Sequence, residues 1–166
     1  LFSTVAGESL ADGRLLSDPG LAARSAGTLY SRLVLTFAQA DVRLFAPRHW
    51  TVLEEMRALG FRFALDEVTD LDFDFEALRA AGFAFAKLDA PVFLEGLPAP
   101  AGHIPSADVC RHLANFGLAL IVGRIDDERQ LGRILGFGVL FGQGSLFGAP
   151  RPVKSDIVGG RRESAA

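Results

Sequence analysis

FEALRAAGFAFAKLD, residues 75–89, joins an amphipathic helical pattern to a short apolar strand through a single glycine. The pattern recurs as EEMRALG-FRFAL (54–65), HLANFG-LALIV (112–122) and LGRILG-FGVLF (131–141). Gly60, Gly82, Gly117 and Gly136 each follow a helix's last apolar residue, where a left-handed cap favours a residue without Cβ. Helix starts are legible as well. Pro47 suits a first helical turn, Ser106 an N-cap, and Asp127 with Gln130 a capping box. The strands are continuously apolar rather than alternating, as expected when both faces are covered. Helix and strand in alternation with short links predict a parallel sheet, either open or closed into a barrel.

Working outward, LFSTV (1–5) and RLVLTF (32–37) read as two earlier strands with a helix across Asp18–Tyr30 between them. That makes six strands, or seven with SLF at 145–147. A full eight-stranded barrel takes about 250 residues, so 166 residues suit an open sheet or the larger part of a barrel. In both architectures chemistry gathers where loops leave the carboxyl ends of the strands. Those ends carry Gln39, Asp66 and Glu67, Lys87 and Asp89, Gly123 to Asp127, and Gln143.

Composition limits the functions open to the chain. Half of the residues are apolar, including fourteen Phe, so a packed core is affordable and disorder is excluded for most of the length. A net charge of −3 offers no basic surface for nucleic acid. The lone Cys110 cannot form an internal disulfide, which fits a reducing compartment, and its helical setting predicts a buried, inert thiol. No apolar run approaches the roughly 20 residues of a membrane span. Opening on Leu1 without a signal peptide, the chain reads as a fragment. It is expected in the cytoplasm, with any attachment to the inner membrane made by regions outside it. The stretch from Lys154 reads as a frayed tail.

The rim residues, in this order and spacing, resemble the EAL family of cyclic-di-GMP phosphodiesterases. LDEVTD (65–70) stands where the family has a DDFG-type motif, and AKLD (86–89) where it has KID. The segment from Leu118 to Pro150 stands where the family has AEGVE, a downstream Gln and a QG…P ending. The resemblance implies a TIM-like (β/α) barrel of the EAL type, present as its C-terminal two-thirds with the early strands missing. It places the domain at residues 1–152 and a flexible tail at 153–166.

The departures shape the functional expectation. By the resemblance, Gln39 replaces a metal-binding Glu, Thr36 a further Glu, Thr4 an Asn, Glu67 the second Asp, and Gly123, followed by Arg124, a key Glu. The family's EAL signature and a phosphate-gripping Arg lie upstream of Leu1. A two-metal site needs several anionic oxygen ligands. The expectation is therefore a domain that is not an enzyme, has no catalytic or metal-binding residues and requires no cofactor. It would serve as a cyclic-di-GMP effector or scaffold in bacterial signalling, with flagellar assembly or polarity as its setting. Asp66, Lys87, Arg124, Asp126, Gln143, Phe147 and Pro150 would form the nucleotide site. Lys87 is expected to form a salt bridge with the acids of the neighbouring strand, and Arg124 to contact a phosphate or pair with Asp126. Other signalling or flagellar proteins are the expected partners, and an exposed sheet edge invites a homodimer. The alternatives are a protein-interaction module without nucleotide and, last, weak metal-dependent phosphodiesterase activity.

Overall fold

A computed structural model describes residues 2–7, 10 and 32–148. The helix expected over Asp18–Tyr30, Pro150 and the tail at 153–166 lie outside the described residues. The elements run β1 (Phe2–Thr4), β2 (Val34–Ala38), α1 (Gln39–Arg43), α2 (Pro47–Ala58), β3 (Arg62–Asp66), α3 (Phe75–Ala81) and β4 (Phe83–Asp89). They continue with α4 (Ala90–Glu95), β5 (Leu97–Ala99), β6 (Gly102–Ile104), α5 (Ser106–Asn115), β7 (Ala119–Gly123), α6 (Glu128–Leu135) and β8 (Phe141–Gly142).

Six strands form one parallel sheet in the order β1-β2-β3-β4-β7-β8. Each new strand is added on the same side of the last, so among the described residues the order never reverses and no switch point of a doubly wound sheet exists. Right-handed crossovers then put successive helices on one face, and the sheet curls toward a barrel. The curled half-barrel answers the choice between an open sheet and a barrel.

The helix-covered face holds the core. Phe37, Phe63 and Phe83, from three adjacent strands, are fully buried and meet at ring-centroid distances of 5.6 to 6.3 Å. A register shift sets this arrangement. Phe63 pairs with Phe83, but Ala64 pairs with Phe85, leaving Ala84 as an extra residue. Strict alternation along FAFAKLD would put Phe83, Phe85, Lys87 and Asp89 on one face. The extra residue reverses the phase, so Phe83 joins the core while Phe85, Lys87 and Asp89 face the concave side. There Phe85 meets Phe2 edge-on at 5.5 Å.

Several local expectations change. The strand expected over FGVLF shrinks to Phe141–Gly142, because the turn ending α6 runs on through Phe137 and Gly138, whose amides bond to Ile134 and Leu135 carbonyls. Two glycines compete to stop that helix. Gly138, at φ +75°, takes the left-handed position, whereas Gly136 stays right-handed at −62°. Gly60, Gly82 and Gly117 are left-handed as expected. SLF is a 3₁₀ turn rather than a seventh strand. Ser106 is the first residue of α5 and makes no capping bond, with Pro105 at the cap. The antiparallel hairpin β5–β6, with Leu97 paired to Ile104, was not anticipated. Cys110 is half-buried rather than buried, and that burial still pushes its thiol pKa up, away from the reactive thiolate. Among the described residues no helix is long and apolar enough to cross a membrane.

Candidate functional site

Parallel register brings the strand ends level: Ala38 lies beside Asp66, and Asp89 beside Gly123. The loops leaving β3, β4, β7 and β8 enclose a cavity of about 450 Å³. Asp66, Lys87, Arg124, Asp126 and Gln143, five of the expected site residues, line it together with Glu67, Asp89, Gly144 and Ser145. Phe147 is not among the lining residues, and Pro150 is outside the described ones.

Two ion pairs lie in this cavity. Lys87 Nζ meets Asp66 Oδ2 at 2.5 Å, with both side chains largely withdrawn from water. Asp66 Oδ1 accepts the Glu67 amide at 2.8 Å. Arg124 pairs with Asp89, not Asp126, at 3.1 Å. Its side chain is 72% exposed, so solvent screens that pair and it contributes little to stability. Glu67 and Arg124 both adopt φ +52°. Each stands one residue beyond a strand end, in a left-handed conformation that costs about 1 kcal/mol outside glycine. Strain of this kind concentrates at functional sites.

Asp126 accepts from the Ser145 hydroxyl at 2.8 Å and the Ser145 amide at 3.3 Å. Those bonds, the hydroxyl first, with Arg124 nearby, hold its carboxyl below the usual carboxylate range. Its neighbour Asp127 caps α6 by accepting from the Gln130 amide at 2.8 Å. The expected capping box is displaced by one residue, since Gln130 Oε1 accepts from the Asp126 amide rather than that of Asp127. Asp74 caps α3 through the Ala77 amide.

Gln39 and Thr36, which by the resemblance replace acids of the family, do not line the cavity. Gln39 opens α1 rather than ending a strand and is 3% exposed. Its amide oxygen accepts from Thr69 N and Oγ1, and its amide nitrogen donates to the Asp70 carbonyl. It therefore clamps the loop after β3 and does not line the cavity. Thr36 is buried in mid-strand, and its Oγ1 is the one buried side-chain polar atom among the described residues without a hydrogen-bond partner. Asp89 and Ser145 enlarge the site beyond the expected set. Asp89 was legible as a strand end. Ser145 was not, because its partner lies 19 residues away.

Fold and site together define a mouth at the carboxyl ends of a parallel half-barrel, carrying ion-paired acids and an exposed Arg. The EAL domain family matches residues 4–150, and the chain belongs to that family. Among solved structures it is similar to the EAL enzyme Bd1971 in a cAMP-bound form, at 16% identity and a TM-score of 0.70, over 90% of this chain and 40% of that one. A second is the PaMucR phosphodiesterase in complex with c-di-GMP, at 18% identity and 0.68, over 95% and 69%. A third is BlrP1 of Klebsiella pneumoniae with calcium and c-di-GMP, at 18% and 0.65, over 88% and 38%. No curated protein sequence matches. The chain thus spans about 40% of the length of the first of these structures, and the likeness establishes the TIM-like fold.

The expectation that the chain is not an enzyme is corrected here. It belongs to the EAL family, and matched structures are described as an EAL enzyme and a phosphodiesterase. Substitutions counted along part of a domain's length do not decide its activity. A resident metal is a separate question, tested on the donors present. Asp66 is held by Lys87, Asp89 by Arg124 and Asp126 by Ser145. Among the described residues no three His, Cys, Asp or Glu side chains gather closely enough to hold a cation. Among the described residues these three carboxylates, as placed, are each engaged by another side chain and do not gather around a common point.

Proposed function

We propose that this chain is a cyclic-di-GMP-binding EAL domain, which takes the nucleotide in the cavity at the mouth of the half-barrel. The observation that carries the reading is the convergence of Asp66, Lys87, Arg124, Asp126 and Gln143, scattered over 78 residues of sequence, on one cavity of about 450 Å³. Relatives of the same fold are described in complex with c-di-GMP. Arg124 is the natural phosphate contact. Its guanidinium is mostly in water and held by a single contact to Asp89, so a phosphate can displace that carboxylate and bind in bidentate fashion. Gln143 offers both an amide donor and an acceptor to a guanine edge or a ribose. A signalling role follows from such a ligand; the flagellar setting rests on the sequence resemblance alone.

Isothermal titration calorimetry with cyclic-di-GMP, with chelator and separately with Mn²⁺, tests binding. Chromatography of the same mixtures reads the linear dinucleotide and so measures turnover independently. Saturable heat that weakens in Arg124→Ala is expected. No heat at high micromolar nucleotide under either condition removes the proposal.

A further inference from the structure

The strand ladder beside Gln143 is very short. β8 ends at Gly142, and the next residues are held by the end of β7 and the loop that leaves it. The Gln143 amide donates to the Val122 carbonyl at 2.8 Å, and its carbonyl accepts from the Ile125 amide at 3.1 Å. Beyond it, the Leu146 amide donates to the Ile125 carbonyl at 3.3 Å. Gly144 lies so flat on Ile125 that a Cβ there would fall 2.1 Å from its carbonyl oxygen. Asp126 closes this arrangement, one carboxylate oxygen accepting both the amide and the hydroxyl of Ser145. Its own backbone is fixed in turn by Gln130, which accepts the Asp126 amide at the start of α6.

From this geometry we infer that Asp126 is a positioning residue: its Oδ1 clasps Ser145 and thereby fixes Gln143 on the cavity wall. That oxygen accepts two hydrogen bonds and is committed to the clasp, and the order of support runs from α6 through Asp126 and Ser145 to Gln143. The inference rests on the cyclic-di-GMP reading and sharpens it, because it gives Asp126 a part played through Gln143 and assigns Ser145 a role.

Calorimetry with cyclic-di-GMP on four variants tests it. Loss of hydrogen bonds of this kind corresponds to a weakening of about fivefold, expected for Asp126→Ala and somewhat less for Ser145→Ala. The double variant should bind no more weakly than Asp126→Ala, since both changes break one clasp. Asp126→Asn keeps an acceptor for Ser145 and should stay within about twofold of the wild type. Wild-type affinity in Ser145→Ala, additive losses in the double variant, or Asp126→Asn as weak as Asp126→Ala each overturn the inference while leaving the binding reading intact. Absence of heat with the wild type instead sinks the binding reading. In that case hydrogen exchange at the Ser145 amide, faster in Asp126→Ala than in Asp126→Asn if the clasp exists, separates a misplaced ligand from an absent clasp.

Discussion

Replacing Gln39 by Leu puts an apolar side chain of similar size at a site that is 3% exposed, and it removes three hydrogen bonds at once. The bonds measure 2.8 Å to the Thr69 amide, 3.0 Å to the Thr69 hydroxyl and 2.9 Å to the Asp70 carbonyl. At about 1 kcal/mol for each net bond the loss would reach about 3 kcal/mol. Thr69 is exposed and Asp70 half-buried, so water recovers part of this, leaving about 2 kcal/mol. For a chain of this size that corresponds to a fall in Tm of about 4–8 °C. Urea melts of the 166-residue chain read the global term. Hydrogen exchange at Val68–Asp72 reads the local one, because these amides should lose protection before the rest. Thr69→Val removes only the hydroxyl bond and should cost about 1 kcal/mol or less. Adding it to Gln39→Leu should cost almost nothing more, since the partner is already gone. A Gln39→Leu change below about 0.5 kcal/mol, with unaltered exchange in the 68–72 loop, would refute the clamp.

Three further outcomes are expected. Thr36→Val removes a buried hydroxyl that has no partner and should stabilise the chain by about 1 kcal/mol in a urea melt, against the usual sign of a core substitution. Gly144→Ala forces a Cβ to 2.1 Å from the Ile125 carbonyl oxygen and 2.4 Å from its amide nitrogen, so the loop must lift; a loss of about 2 kcal/mol and faster exchange of the Ser145 amide are expected. Because the Asp126 pKa is depressed by Ser145, the clasp's contribution is complete above the unfolded carboxylate value near about pH 4 and disappears as pH falls through the lower folded value. Carboxyl-carbon NMR should find its midpoint below that of a free carboxylate in the wild type and closer to it in Ser145→Ala; equal midpoints would contradict the contact.

Much of the site was legible, for a definable reason. In a parallel sheet the strand ends collect on one rim whatever the strand order, so Asp66, Lys87, Asp89, Arg124, Asp126 and Gln143 could be brought together from chain order alone. Their pairings were only partly accessible. Lys87 meets Asp66, one strand away, as expected. Arg124 chose Asp89 over Asp126 because its left-handed backbone and the pairing of Gly123 with Asp89 put that carboxylate beside it, while Ser145 occupied Asp126. Gln39 looked like a strand end, yet the strand stopped at Ala38 and the residue turned into a helix and a clamp.

What the sequence determined by itself was local. Helical period, glycine stops and apolar runs marked most of the elements, since caps and periodicity act within a turn or two of chain. Tertiary structure alone decided three things: the unbroken strand order that makes a half-barrel, the extra residue at Ala84 that sends Phe83 to the core and Lys87 to the mouth, and the pairing of Arg124 with Asp89. All three depend on contacts between segments distant in sequence. There the choice among nearly equivalent registers and ion pairs is made by packing both faces of the sheet at once, which no short window of residues contains.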